Sequence, residues 1–567
     1  VYYRPRVASF GRREWLAAVL GSAAAGRWLA GCEAGGRGTS PPPDLPGTLY
    51  EPARKRGHRL RDHPPGAARF QGIPPRRTAV VVVGGGIAGL AAAWRLRRKG
   101  LTAFEVLELE DEPGGTARGA TAPPGGLPHP WGAHYVPLPF GDQPALVSLL
   151  REVGAVVGTD PEGDPIGDEA RLVRDPKERL FHAGYWSEGL WLAPGAGAGD
   201  RAELARFQRT LAALVAARDG AGRRPFAIPV AQSSDDPRFA DLDRMSATEW
   251  LDREGYRSRR LRWLIDYGCR DDYGVGADGA SAWAALFYHA ARVRRSGEGA
   301  RPILAWPEGN AALAGHLAAA AGGDRVRTGR LVTDVVPDPE AGLVRVHALV
   351  GEDARPEVVL ARRVIVALPR FIARRVAAPL RRDKGTAGGD YDPPYGPWVV
   401  ANLHLRKRPG SRGFPLAWDN VLFDSPSLGY VVATHQTFRD HGPTVWTWYL
   451  PLSDTDPKAA RDKVEDASLA DWQAAVLADL APAHVGLLAQ VEAIDVFRWG
   501  HGMVQARPGV VSDPARRAAA EPRDGVHFAH TDLSGVALFE EAFHHGVRAA
   551  DEVLGGLGRG PTGASAS

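Results

Sequence analysis

Three stretches carry residue types that could do chemistry. In DYGCRDDYG, residues 266–274, Arg270, Asp271, Asp272 and Tyr273 stand side by side. Adjacent carboxylates can share a proton or hold a cation. The plain alternative is an Arg–Asp structural network leading into a helix. In HPWGAHYVPLP, residues 129–139, His134 has the intrinsic pKa of a general base, against the alternative of a hydrogen-bonded structural histidine. In VVVGGGIAGLAAAW, residues 81–94, three spaced glycines make a phosphate cradle. Gly84 permits the tight turn, Gly86 lets a pyrophosphate approach the backbone, and Gly89 lets the next helix lie close to the sheet. That helix opens with Ile87, Ala88 and Gly89, whose amides and positive dipole end suit phosphate.

The elements that must position these residues can be read from pattern. Residues 78–86 begin as a continuous apolar run, as in a strand buried on both faces. A helix over 87–99 and a second strand over 104–110 follow, and Glu108 falls about 20 residues past Gly89, where a ribose hydroxyl contact belongs. The glycine motif is therefore a dinucleotide site and not a bare turn. Residues 143–295 read as largely helical, with a capping box at Ser246 and Glu249. An Ala-rich helix is expected over 308–322, three strands over 325–367, alternating strands over 397–450, a helix near 465–480 and a strand near 488–497. Strand, turn and helix close the chain before a disordered tail. No internal repeat is present.

The chain has 567 residues, 44% hydrophobic and 24% charged, enough for two or more domains. Its 70 basic and 66 acidic residues leave a net charge of +4, with no dense basic block, so a nucleic-acid partner is not expected. Two cysteines, Cys32 and Cys269, make neither a disulfide framework nor a cysteine-ligated zinc site, and no HExxH occurs; no metal is expected. Cys269 reads as a small buried residue.

Beyond Glu108, ELEDEPGGTARG places Gly114 and Gly115 and then Arg118. Here the sequence resembles the flavin-containing amine oxidase and phytoene desaturase-like superfamily, whose members carry a Glu, a double glycine and an arginine and bind FAD. VHFAHTDLSGVALFEEAFHHGVRAADEVL, residues 526–554, is similar to the family's C-terminal element that supports the ribityl-phosphate chain. The match puts Asp532 at an acidic position of the family, with Ala542 and Gly546 on the helix that follows. The middle stretches are similar as well and place Val332 against the adenine edge. The resemblance spans about residues 78–556.

The resemblance implies an α/β chain with a discontinuous Rossmann-like FAD-binding domain over 75–142, 298–378 and 495–556. An α+β substrate domain would use 143–297 and 379–494. It further implies that Gly132, Ala133, His134 and Tyr135 pass close to the flavin ring, and that Trp499 or His501 faces it, with plain core packing the alternative for Trp499. The implied activity is hydride transfer from a substrate C–H bond of an amine or an apolar polyene to FAD. A lysine common in amine oxidases falls at Ala401 or Asn402 here, with Lys407 further along, which leaves room for an acceptor other than oxygen, such as a quinone. A non-catalytic FAD-binding protein or assembly partner is the reading from another class, and an NAD(P)-binding Rossmann protein is a third.

The front of the chain reads as an export address. RREWL with Arg12 and Arg13 resembles a twin-arginine signal, which serves cargo already folded around its cofactor. LAGC, ending at Cys32, resembles a bacterial lipobox, with lipidation of that cysteine as the implied membrane anchor. Residues 1–32 are thus the expected signal, 33–74 a linker and N-terminal extension, and 557–567 a tail. The export machinery is the expected partner, and the periplasm or outer face of a bacterial membrane the expected place.

Overall fold

The apolar run before the glycine loop forms the strand Arg76–Val83, whose last four residues are buried. The chain turns at Gly84, with φ at +101°, and enters the helix Ile87–Arg98. A Cβ at position 84 would meet the Ala367 carbonyl at 2.5 Å, so only glycine fits this turn. These elements belong to a computed structural model that describes residues 45–121, 126–453 and 456–558. The expected signal at 1–32 and all but the first residues of the expected tail lie outside the described residues.

Strand Arg76–Val83 is central in a seven-stranded mixed sheet. Phe104–Leu107 and Arg355–Val366 flank it in parallel, Val82 facing Val106 on one side and Ile365 on the other. Val526–Phe528 adds a parallel pairing to Arg355–Val366. Leu343–Val350 and Arg330–Asp338 extend the sheet antiparallel. Val–Ile runs with both faces covered are what such parallel strands need. Helix Phe539–Leu557 crosses the glycine-loop helix closely: a Cβ on Gly546 would meet the Ala88 carbonyl at 2.2 Å.

A second, eight-stranded sheet holds Val491–Val504, Tyr395–Leu405 and Thr444–Pro451 at its centre. Val491–Val504 is longer than the strand expected near 488–497. It lies in this sheet, whereas the resemblance implies an FAD-domain segment from 495. The sheet's edge is formed by Glu178–His182 and Tyr185–Glu188, a hairpin inside the stretch read as largely helical. Its two turn residues, Ala183 and Gly184, both have positive φ. Alanine at such a position is not a usual hairpin signal, so the sequence pattern does not announce this turn.

The helices of the middle stretch pack as their own layer. Ala247–Arg253 carries the expected capping box: Ser246 Oγ accepts from Glu249 N at 3.1 Å and Glu249 Oε2 accepts from Ser246 N at 2.7 Å. Arg259–Tyr273 stops at Gly274 in the left-handed region. Arg270 to Tyr273 thus form the last turn of this helix, ahead of the expected helix, which spans Ala282–Ala290. Among the described residues, no helix is long and apolar enough to cross a membrane.

Candidate active site

One elongated cleft of about 650 Å³ is lined by residues of both sheets and of the middle helices. At one end stands the glycine cradle. Gly114 N donates to Gly85 O at 2.8 Å, and Gly86 bridges Gly114, so the two glycine turns face each other. Gly114 and Gly115 have φ of +124° and +58°, and Gly115 lies against Gly86. Gly84, Gly86, Ile87, Ala88, Gly114 and Gly115 line the cleft; Gly89 instead lies beneath it, where a Cβ would stand 1.9 Å from Gly84 O. Glu108 Oε2 accepts from Gly85 N and Oε1 from Glu110 N, which fixes its carboxylate at the cradle's edge. Burial raises its pKa, and the two backbone donors oppose the shift. Val332 lines the same end, at a register shift of its strand.

The middle of the cleft is walled by aromatic rings. Gly132 has no room for a side chain, since a Cβ would stand 2.2 Å from Thr116 O, and Ala133 N donates to that carbonyl at 2.9 Å. Arg118 lies 5.3 Å from the ring centres of both Phe497 and Trp499. Trp499 Nε1 donates to Trp131 O at 2.7 Å, which fixes the indole in the wall. Two residues on, His501 lines the rim and stacks on Phe371 at 4.3 Å. His134 stacks on Tyr449 at 4.9 Å, and burial pulls its pKa down to about 4. An imidazole of that pKa is neutral near pH 7.

At the far end carboxylates gather. Asp271, Asp272, Glu178, Asp419 and Glu540 all line the cleft beside Tyr135, Tyr267 and Tyr288. Asp272 pairs with Arg292 at 3.4 Å, and Glu540 stands 4.0 Å from the same guanidinium. Burial works against the charge on Arg292, yet Asp272, Tyr135 and Glu540 hold its pKa above the usual value. Asp271 is pushed up to about 7, first by burial and then by Asp272; Tyr288 Oη donates to its Oδ2 at 3.5 Å. Asp419 is pushed well up by burial, then by Glu178 and Asp271. Burial also raises Glu178.

Three nominated residues stand elsewhere. Arg270 is buried against Asp266 at 3.0 Å and donates to Pro426 O at 2.8 Å, so it ties the helix to a loop. Tyr273 Oη donates to Ala284 O at 2.8 Å inside the helical layer. Asp532 does not line the cleft. Its carboxylate accepts from Arg370 N at 2.6 Å and from the Tyr395 hydroxyl, while the preceding His530 and Thr531 face the cavity. The short turn Thr531–Leu533 rotates the acid inward, an offset of one residue that the motif match could not see.

FAD fits these residues. Gly84 and Gly89 tolerate no Cβ, Gly86 leaves open space above the turn, and the helix behind it has no side-chain cap there, which leaves its end to a ligand. On the cleft wall Asn310 donates from Nδ2 to Tyr135 O, while its buried Oδ1 has no partner within the protein. Such an atom calls for a donor from a bound group.

A nucleotide cradle opening into a cavity of rings and acids defines a dinucleotide-dependent oxidoreductase of the two-sheet flavoenzyme class. The chain belongs to the flavin containing amine oxidoreductases, whose family model matches residues 87–554. FAD is its cofactor, and hydride transfer from a substrate C–H bond to that flavin is its chemistry. No curated protein matches it by sequence. Among solved structures it is similar to putrescine oxidase bound to putrescine, with 20% identity and a TM-score of 0.62 over 85% of this chain and 100% of that one. Cyclohexylamine oxidase from Brevibacterium oxydans aligns with 19% identity and a TM-score of 0.60 over 85% and 100%. A CLA-producing fatty acid isomerase from P. acnes aligns with 15% identity and a TM-score of 0.57 over 84% and 98%. These likenesses concern the fold.

Proposed function

We propose that the cavity oxidises a cationic amine. One observation carries this reading: Asp271, Asp419 and Glu178 face one cavity, while the arginine beside them, Arg292, is already engaged by Asp272 and Glu540. Burying several carboxylates together is unfavourable unless they take up protons or a cation joins them. A fatty acid, the substrate class in the isomerase's name, would bring one more negative charge to this place. An apolar polyene would leave the acids unanswered. Tyr267, Tyr288, Trp418 and Tyr449 supply ring faces and edges around the same space, suited to an ammonium and its carbon chain.

The bound flavin supplies the acceptor for the hydride of the substrate's C–N carbon. The amine must first lose its extra proton, and Asp271, with a pKa of about 7, is matched to receive it. Asp419 and Glu178 stand beside the positive charge that hydride loss then leaves on the substrate's C–N unit. The aromatic wall from His134 to Trp499 excludes water from the reacting bond.

An acceptor other than oxygen is part of the proposal. On Tyr395–Leu405, Trp398 and Val400 face the cleft, Ala401 is buried, and Asn402 is occupied by Pro130 O and Thr447; no lysine is among the lining residues. The test is anaerobic mixing of the yellow holoenzyme with primary amines, diamines, amino acids and polyenes. Amines are expected to remove the flavin colour, which returns faster on adding a quinone analogue than on admitting air. Bleaching by polyenes alone rejects the amine; no bleaching by any donor favours a non-catalytic flavoprotein.

The export address remains a further proposal, resting on Arg12, Arg13 and Cys32. In a bacterial host the protein is expected in the membrane fraction, and Cys32→Ala is expected to move it to the soluble fraction. An unchanged partition refutes the lipid anchor.

A further inference from the structure

We propose that residues 46–62, which lie before the span matched by the family, form a strap that bridges both sheets across the cofactor cleft and sets how slowly FAD leaves. The inference rests on FAD as the cofactor and is independent of which substrate the far end takes.

The first half of this segment belongs to the eight-stranded sheet. Ile494 N donates to Pro46 O and Val496 N to Thr48 O, each at 2.9 Å. Leu49–Tyr50 then runs parallel to Val491–Val504, with Tyr50 opposite Phe497. Glu51 pairs with Arg498 at 2.8 Å. A Cβ on Gly47 would meet Ile494 O at 2.0 Å, so the strand is laid flush against its neighbour.

The second half belongs to the seven-stranded sheet. Ala53 N donates to both carboxylate oxygens of Glu110, at 2.9 and 2.8 Å, just past the cradle's Glu108. Arg56 is buried and pairs with Asp111 at 2.9 Å and Glu352 at 3.3 Å. Helix Arg54–Asp62 starts here, and its Arg54 reaches back to Glu465 at 2.7 Å, beside the other sheet.

Between these anchors Glu51, Ala53, Arg54, Gly57 and His58 line the same cleft as the glycine cradle, Glu108 and Val332. The strap is therefore a wall of the cofactor site, fastened on both sides. A ligand enclosed this way leaves only when one fastening opens, so the anchors act on its dissociation rate.

The test follows FAD release from the full-length holoenzyme, read as the rise of free-flavin fluorescence after dilution. Ala53→Pro removes the N–H that Glu110 accepts while keeping a φ of −59°, which proline allows. Its release is expected to be roughly tenfold faster than wild type. Glu51→Gln/Arg54→Ala removes the ion pairs on the other side, which are part-exposed, and is expected to speed release roughly threefold. Trypsin cleavage after the exposed Lys55 reports independently that the strap has come loose. Wild-type release from a variant whose strap is newly cut overturns the proposal, as does a wild-type rate in both variants. Should Ala53→Pro fail to fold, the ion-pair variant alone decides by the same reading.

Discussion

Gly89→Ala is expected to purify with little or no flavin. The added methyl would stand 1.9 Å from Gly84 O and 3.3 Å from a Val82 methyl. Neither can yield cheaply. The Gly84 carbonyl belongs to the turn with φ at +101°, whose N–H is held by Leu107 O at 2.9 Å, and Val82 is fully buried in the central strand. The helix must lift away from the sheet at the end where its amides meet the pyrophosphate. Overpacking of this kind costs about 1–3 kcal/mol, a loss of roughly tenfold to a hundredfold in FAD affinity. Flavin absorbance per mole of protein after gel filtration measures it. Gly86→Ala is the informative partner, because the nearest atom to its new Cβ lies 4.0 Å away. That variant should keep the apoprotein's melting temperature and still lose FAD, since its methyl occupies the space the phosphates need. Full flavin content in Gly89→Ala would refute the packing argument.

The second large effect concerns the acids. A quaternary ammonium inhibitor such as benzyltrimethylammonium carries a fixed charge, so any pH dependence of its binding belongs to the protein. With the Asp271 pKa at about 7, its affinity for the holoenzyme is expected to rise as pH climbs through 7, because the carboxylate gains its charge there. Asp271→Asn should abolish that limb and weaken binding at pH 8 by roughly a hundredfold, the about 2–3 kcal/mol typical of a lost desolvated charge partner. Folding of the inhibitor-free protein responds with the opposite sign. The carboxyl ionises at 3.8 when free and at about 7 when folded, so its contribution to stability is full below the first value and lost as pH rises through the second. Asp271→Asn should therefore flatten the melting temperature between these limits. A wild-type inhibitor constant independent of pH between 6 and 8 would count against the cation-binding reading.

What the sequence made legible was local. The glycine spacing, the double glycine and Arg118 each express one turn of backbone, and the structure brings them to one cleft. The capping box at Ser246 and the long strands near 330–366 were visible for the same reason. The far end was not. Asp271 and Asp272 were nominated as neighbours on the chain, but Glu178, Arg292, Asp419 and Glu540 reach them only through the folding of a sheet edge, a helical layer and the C-terminal helix. No spacing announces such a meeting. Asp532 shows the limit at finer scale, because a motif gives a position and the turn decides which way the side chain points.

The crossing of helix Phe539–Leu557 over Ile87–Arg98 has a temporal meaning. The cradle's first strand emerges from the ribosome more than 400 residues before the helix that braces it at Gly546. A nascent chain, or one ending before residue 539, has glycines in the right order and nothing to press them into shape. Cofactor loading thus becomes a signal that synthesis has passed this helix.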